Sequence, residues 1–356
     1  MSAISEAAHD EDESLACESE KCHWRNLLTD QMRETLQDAN FSAGLATLII
    51  GFWLNCAIIM SEKLRSEKCY RNLLNYTIAA TVRRAVPVVF MTLPFRCLIE
   101  CIGYSNLTCD FFGFVDTFIA VFELESLTQV CIERLIYALY IYKGWINPDW
   151  HNKLFVSISL FLAFLYSTLP LLGYGSYGKD FDCMNCTFDI LLPTKAAYKL
   201  IVIVIFVLKN LKPTVVITFS LNFTRWLEVN KIKVNNKNEI VFTLSICIVV
   251  LVNIVFWFPI FLVRASVVMA QILHSNTEMI WSPCFVMWAI SMHWISPAVA
   301  MIGLIWYNPR VRAKMTNLVS LRPIDSNEPT PPPTPAQPAQ DTTPPPAQDT
   351  KAIKTN

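Results

Sequence analysis

Apolar residues run along this chain in blocks of about twenty, separated by short polar connections rich in lysine and arginine. Phe41–Met60 is one such block and holds no charged side chain. A bilayer's hydrocarbon core is roughly 30 Å thick and is crossed by about 20 helical residues. The pattern predicts six further spans of that kind: Leu73–Pro94, Phe111–Ile132, Leu154–Leu172, Leu200–Thr224, Ile240–Val263 and Ile280–Ile305. The fold expected is an all-α membrane protein, a seven-transmembrane helix bundle.

Composition narrows the reading. Of 356 residues 53% are apolar and 16% charged, against about 25% charged in soluble domains. The net charge is zero, so no basic field points to a nucleic-acid partner. The 12 cysteines include a single CxxC, Cys183 with Cys186, which is not a zinc pattern. His9, His23, His151, His274 and His293 are scattered and build no Ser/His/Asp or metal-ligand set, so an enzyme is not expected. The acidic start (Asp10–Glu13) lacks a basic-then-apolar stretch, so no cleavable signal peptide is expected.

Basic residues orient the spans. With the N-terminus outside, Lys63, Arg65, Lys68 and Arg71 fall in the first inner loop, and Arg134, Lys143 and Lys153 in the second. Arg225, Lys231, Lys233 and Lys237 fall in the third, while Arg310, Arg312, Lys314 and Arg322 follow the last span. The sequons at Asn40, Asn106 and Asn185 then all face outward as glycosylation candidates. This orientation argues against seven-helix channels that keep the N-terminus inside. The expected organisation is an outer tail (1–40), a seven-span domain (41–307), a short amphipathic helix eight (308–319) and a disordered proline-rich inner tail (320–356). Thr330, Thr334, Thr342 and Thr343 in that tail are phosphorylatable, although a merely solvated tail is the simpler reading.

Particular motifs add to the pattern. The second outer loop reads Gly173-Tyr-Gly-Ser-Tyr-Gly-Lys-Asp180-Phe-Asp-Cys183-Met-Asn-Cys186-Thr-Phe-Asp. Ile132-Glu133-Arg134-Leu135 stands twenty-five residues after Cys109, and Phe256-Trp257-Phe258-Pro259 lies twenty beyond Glu239. Together with Asn55 and Asn75, from about 41 to 318, these resemble the rhodopsin-like G-protein-coupled receptors and the opsins in particular. The resemblance implies a disulfide between Cys109 and Cys186, for which Cys183, Cys97 and Cys101 compete by chemistry alone. It implies an Arg134–Glu239 latch between the inner ends of spans three and six, and a switch at Trp257 and Pro259. It also implies a heterotrimeric G protein as partner, an arrestin acting through the tail, and a multi-pass place in the plasma membrane, a sensory cilium being one setting.

One element of the opsin pattern is missing. Opsins hold retinal as an imine on a lysine of span seven, and no lysine occurs here between Lys237 and Lys314. Depending on register, Ile290, Trp294 or Trp288 takes that position. Without a primary amine there is no imine, so no covalent retinal is expected, and a non-covalent retinoid stays open. Lys209 would lie at the far end of such a pocket and is not expected to substitute. The family's helix-two aspartate is Ala85, the helix-five tyrosine is Leu221, and the helix-seven tyrosine is absent in every register. In this the chain is similar to the nematode serpentine receptor class o.

Charges inside the spans need partners. Each costs roughly 2.5–3.5 kcal/mol at mid-bilayer. Left unpaired, Arg83, Arg84, Asp116, Glu123, Glu125, Lys209 and Lys212 together would cost about 17–25 kcal/mol, exceeding a typical domain's stability. Arg84 and Glu123 are expected to form a buried pair. Asp116, eighteen residues before Arg134, would bind a cationic ligand as in amine receptors, or pair with Lys209 or Lys212. An unknown small ligand, apolar or cationic, is expected between Asp116, Lys209, Trp257 and Asp180. The competing readings are a non-signalling retinoid carrier or scaffold, and a transporter or channel.

Overall fold

The computed structural model describes Trp24 and residues 27–90, 106–145, 150–182, 185–191, 196–231, 237–273 and 280–319. Among these the chain order is α1 (Asp30–Met60), α2 (Glu62–Ser66), α3 (Lys68–Phe90), α4 (Asn106–Lys143), α5 (Trp150–Leu171), β1 (Tyr177–Lys179), β2 (Cys186–Phe188), α6 (Ala196–Asn230), α7 (Lys237–Ile272), α8 (Pro283–Tyr307) and α9 (Pro309–Val319). Each apolar block of the sequence overlaps one of the long helices, although residues 91–94 of the second block lie outside the described residues. By length and composition α1, α5, α6, α7 and α8 can cross a membrane. The helices α3 and α4, which carry Arg83, Arg84, Asp116, Glu123 and Glu125, fall outside that set.

The long helices present apolar side chains both to the core and to the outside. Leu54, Ile58, Leu73, Leu127, Ile246 and Leu304 pack into one core cluster, while Phe52, Phe161, Phe164, Phe219, Leu251 and Trp306 stand exposed around the outside. Helix α4 sits centrally, packed on α3, α5, α6 and both strands. Buried hydroxyls such as Thr47, Thr128 and Ser167 donate to carbonyls one turn back, which satisfies them without water. Gly51 lets α1 approach α3, since a Cβ there would collide with the Thr81 side chain. Cap residues set the ends. Thr29 accepts from Met32 at the start of α1, and Ser282 accepts from Phe285 ahead of Pro283 in α8. Asn308 accepts from the Val311 amide and exchanges hydrogen bonds with Tyr70, so the turn from α8 into α9 is tied to α3.

Strands β1 and β2 form an antiparallel hairpin pairing Tyr177 with Phe188 and Lys179 with Cys186. The sequence pattern gave only a loop here. A disulfide joins Cys186 to Cys109 in the first turn of α4, as the family resemblance implied. Cys183, Cys97 and Cys101 lie outside the described residues.

The N-terminal boundary moves. Helix α1 begins at Asp30 rather than Phe41, and Trp24 and Leu28 are buried with Phe181 and Val286 at the hairpin end. Residues 24–40 are therefore not all tail. Asn40 is 2% exposed inside α1, with its Oδ1 buried and unpartnered, which contradicts its reading as a glycosylation site, because an oligosaccharide cannot occupy a helix–helix contact. Asn40→Gln is expected to leave the glycosidase-sensitive gel mobility of the expressed protein unchanged. Asn185 is half-buried and its amide donates to Asp182 at 2.6 Å. The side chain of Asn106 and the tail from residue 320 lie outside the described residues.

Candidate functional site

A cavity opens between α3, α4, α6, α7 and α8, beneath β2. Its free space, about 90 Å³ for the centres of water-sized molecules, is room for several waters or a small ligand. Arg83, Arg84, Asp116, Glu123, Lys209, Arg264 and His293 line it together with Trp257.

Arg83 organises the charges. Its Nε donates to Asp116 Oδ1 at 3.3 Å and its Nη1 to Glu123 Oε2 at 3.2 Å. Those carboxylates are two turns apart on one face of α4, and a guanidinium's rigid fork spans that separation where an ammonium could not. Nη2 lies 3.4 Å from His293 Nε2, bringing in α8. The expected Arg84–Glu123 pair is thus corrected: the neighbouring Arg83 makes it. Arg84 instead donates to the His293 carbonyl at 2.9 Å, lies 4.6 Å over the Trp294 ring, and has its Nε buried without a partner.

The facing of α3 is set by polar contacts on its neighbours: Asn55 of α1 bonds to Thr77 and Thr81, and Asn72 donates to Glu133 of α4 at 2.7 Å. In that facing Arg83 points at α4, and Arg84, about 100° further around the helix, points at α8.

Asp116 therefore pairs with neither Lys209 nor Lys212, and an amine ligand would have to displace Arg83. Lys212 bonds to Glu125 of α4, whereas Lys209 turns into the cavity with its Nζ 5.9 Å from the Phe188 ring. Asp180, just beyond β1, takes a 2.7 Å bond from Arg264 Nη2 and so ties the hairpin to α7. The sequence reading missed Arg264 because it ended that span at Val263. Yet Arg264 lies seven residues after Trp257, on the same helix face, and that spacing was a usable signal.

On α8 the cavity meets His293, Ser296 and Pro297. Ile290 and Trp294 pack in the apolar cluster and Trp288 is half exposed. Trp257 stacks on Phe261 at 5.0 Å. One turn deeper Asn253 donates to Tyr76 Oη at 2.9 Å and accepts from Ser296 at 3.2 Å, linking α7 to α3 and α8. No motif had marked Asn253.

At the end of the bundle near α9, Arg134 Nη1 donates to Glu239 Oε2 at 2.8 Å. The guanidinium also lies 4.0 Å over Phe242 of α7 and 5.5 Å from Tyr137. Helix α9 is fastened nearby by Arg310 to Glu67 at 2.8 Å.

No family model matches this sequence, and no curated protein matches it at the level of sequence. Structure is more informative. Squid rhodopsin is similar with a TM-score of 0.67 and 14% identity, over 84% of this chain and 89% of that one. The fold of this chain is a rhodopsin fold.

Proposed function

We propose that this chain is a multi-pass membrane receptor, opsin-like in design, that passes a small-molecule signal to a heterotrimeric G protein without covalently bound retinal. The N-terminus and hairpin face outward, and all seven long helices cross the membrane. The observation that carries the reading is a charged cavity at one end joined through one helix, α7, to the Arg134–Glu239 contact at the other. A ligand that shifts Trp257 or Arg264 acts on the same continuous helical rod that holds Glu239. Two packings of that rod, with the contact made or broken, form a switch of the kind receptors use.

Within the span that would hold retinal, the cavity-facing side chains are imidazole, hydroxyl and proline, none of which forms a stable imine. The missing lysine is a likeness to the opsin-like nematode serpentine receptors of class o, and it supports a receptor that works without a retinal imine. Nucleotide exchange on a panel of purified G proteins tests the reading, with and without added 11-cis-retinal, in light and dark. Exchange above the level of empty membranes, indifferent to light, is the expected result. A visible band that survives denaturation in wild type and disappears in Lys209→Ala would place an imine on α6 and overturn the non-retinylidene part.

A second reading, a non-signalling scaffold, draws on Leu221. It is buried in the core where the family carries an active-state tyrosine. Silence across every G protein of the panel would favour it.

A further inference from the structure

The charges of the cavity do not balance. Four cations reach it, Arg83, Arg84, Lys209 and Arg264. Arg83 takes both Asp116 and Glu123, and Arg264 takes Asp180. Among the described residues no carboxylate lies within ion-pair distance of Lys209 or Arg84. Arg84 is 3% exposed and keeps a buried, unpartnered Nε, with the His293 carbonyl and the Trp294 indole face beside its guanidinium. Lys209 has an aromatic ring at the limit of cation–π reach. A cation inside the bundle without a carboxylate partner is held at a cost, and an entering anion would relieve it.

The apolar part of the lining is equally directional. On α4, Leu124 and Leu127 follow Glu123; on α6, Ile217 lies two turns past Lys209; on α7, which runs the other way, Val250 and Ile254 precede Trp257. All five lie deeper than the charges, toward the α9 end. The cavity thus gathers its charges under the hairpin and carries an apolar strip below them, beside the polar cluster of Tyr76, Asn253 and Ser296.

We infer that the cavity binds an amphiphilic organic anion, a monocarboxylate on a short to medium apolar chain, with its headgroup at Lys209 and its chain against Leu124, Leu127 and Ile254. This replaces the cationic ligand that Asp116 suggested in the sequence, because Arg83 already neutralises Asp116. The inference deepens the receptor reading, and rests on it for the consequence of occupancy but not for binding itself.

The test uses the full-length protein in phosphatidylcholine nanodiscs, with octanoate, octylamine and octanol as matched probes of one chain length. Octanoate alone is expected to raise the thermal midpoint saturably. Lys209→Met is expected to weaken it about 10- to 100-fold, the usual effect of removing one charged partner, and Lys209→Arg to retain it within a few-fold. The inference is overturned if octylamine or octanol stabilises as well as octanoate, if octanoate has no effect up to millimolar concentration, or if Lys209→Met binds it unchanged. Should Lys209→Met fail to fold, the three-probe comparison on wild type decides alone. Octanoate binding with no change in nucleotide exchange supports the site and counts against the receptor reading, so the two can fail separately.

Discussion

Replacing Arg83 by methionine is expected to cost about 3–5 kcal/mol, the usual penalty for breaking a buried pair from one side. Arg83 and Glu123 have side chains only 15% and 9% exposed, and Asp116 is 34% exposed. The substitution leaves one buried and one half-buried carboxylate on the same face of α4 without the cation that they share. A protein stable by about 5–15 kcal/mol loses much of its margin to that change. In detergent the thermal midpoint should fall by about 10 °C or more, and the folded fraction at the cell surface should collapse. The partner variant identifies the cause. Arg83→Met with Glu123→Gln removes the more deeply buried charge and should recover a large part of the loss, leaving Asp116 to hydrate. Arg84→Met supplies the contrast. Among the described residues Arg84 has no carboxylate within ion-pair distance and keeps an unpartnered Nε, so a methionine there should be nearly neutral or stabilising. Equal losses at the two positions, or no recovery in the double variant, would refute the assignment of the charge bridge to Arg83.

That contrast also marks the limit of what could be read from the sequence. The helices were legible because twenty apolar residues in a row have few other fates, and the Glu239 to Pro259 offset was legible because one unbroken helix holds both. The Cys109–Cys186 pairing came from the loop motif rather than from physics, since four cysteines competed. Register across helices was not legible. Thr81 and Asn72, which set the facing of α3 against α1 and α4, look like any small polar residues in a helix, so nothing in the sequence told which of the adjacent Arg83 and Arg84 faces α4. The burial of Asn40 was missed for a related reason: hydropathy weakens over residues 30–40, and what holds them helical is a Thr29 cap and a contact face with the hairpin end. The charge balance of the cavity depends on which side chains converge from five helices, and no periodicity within one helix encodes that.

Glu239→Gln is expected to raise ligand-independent nucleotide exchange about tenfold. The contact it weakens joins α4 to α7 through a 2.8 Å charge-assisted bond with Arg134 95% enclosed and Glu239 partly solvated. A neutral amide keeps the shape and one weaker hydrogen bond, so roughly 1.4 kcal/mol of the restraint is lost, which is a factor of ten in the ratio of open to closed. The restraint does not vanish, because Arg134 also rests 4.0 Å over the face of Phe242, itself on α7. This second clasp needs no charge on its partner and survives the substitution. Cation–π contacts contribute about 0.5–2 kcal/mol, so Phe242→Leu, which keeps the packing against Tyr70 while removing the ring face, should raise basal exchange a few-fold further in the Glu239→Gln background. Alanine would be the wrong choice there, because the cavity it leaves would destabilise the core and confuse the result. Arg134→Ala should abolish exchange outright if that guanidinium is the group a G protein engages once α7 swings away. Basal exchange in Glu239→Gln that equals wild type, from protein that still folds and still responds, would show that the α4–α7 contact restrains nothing. Loss of exchange in Glu239→Gln would show that the pair belongs to the active packing instead.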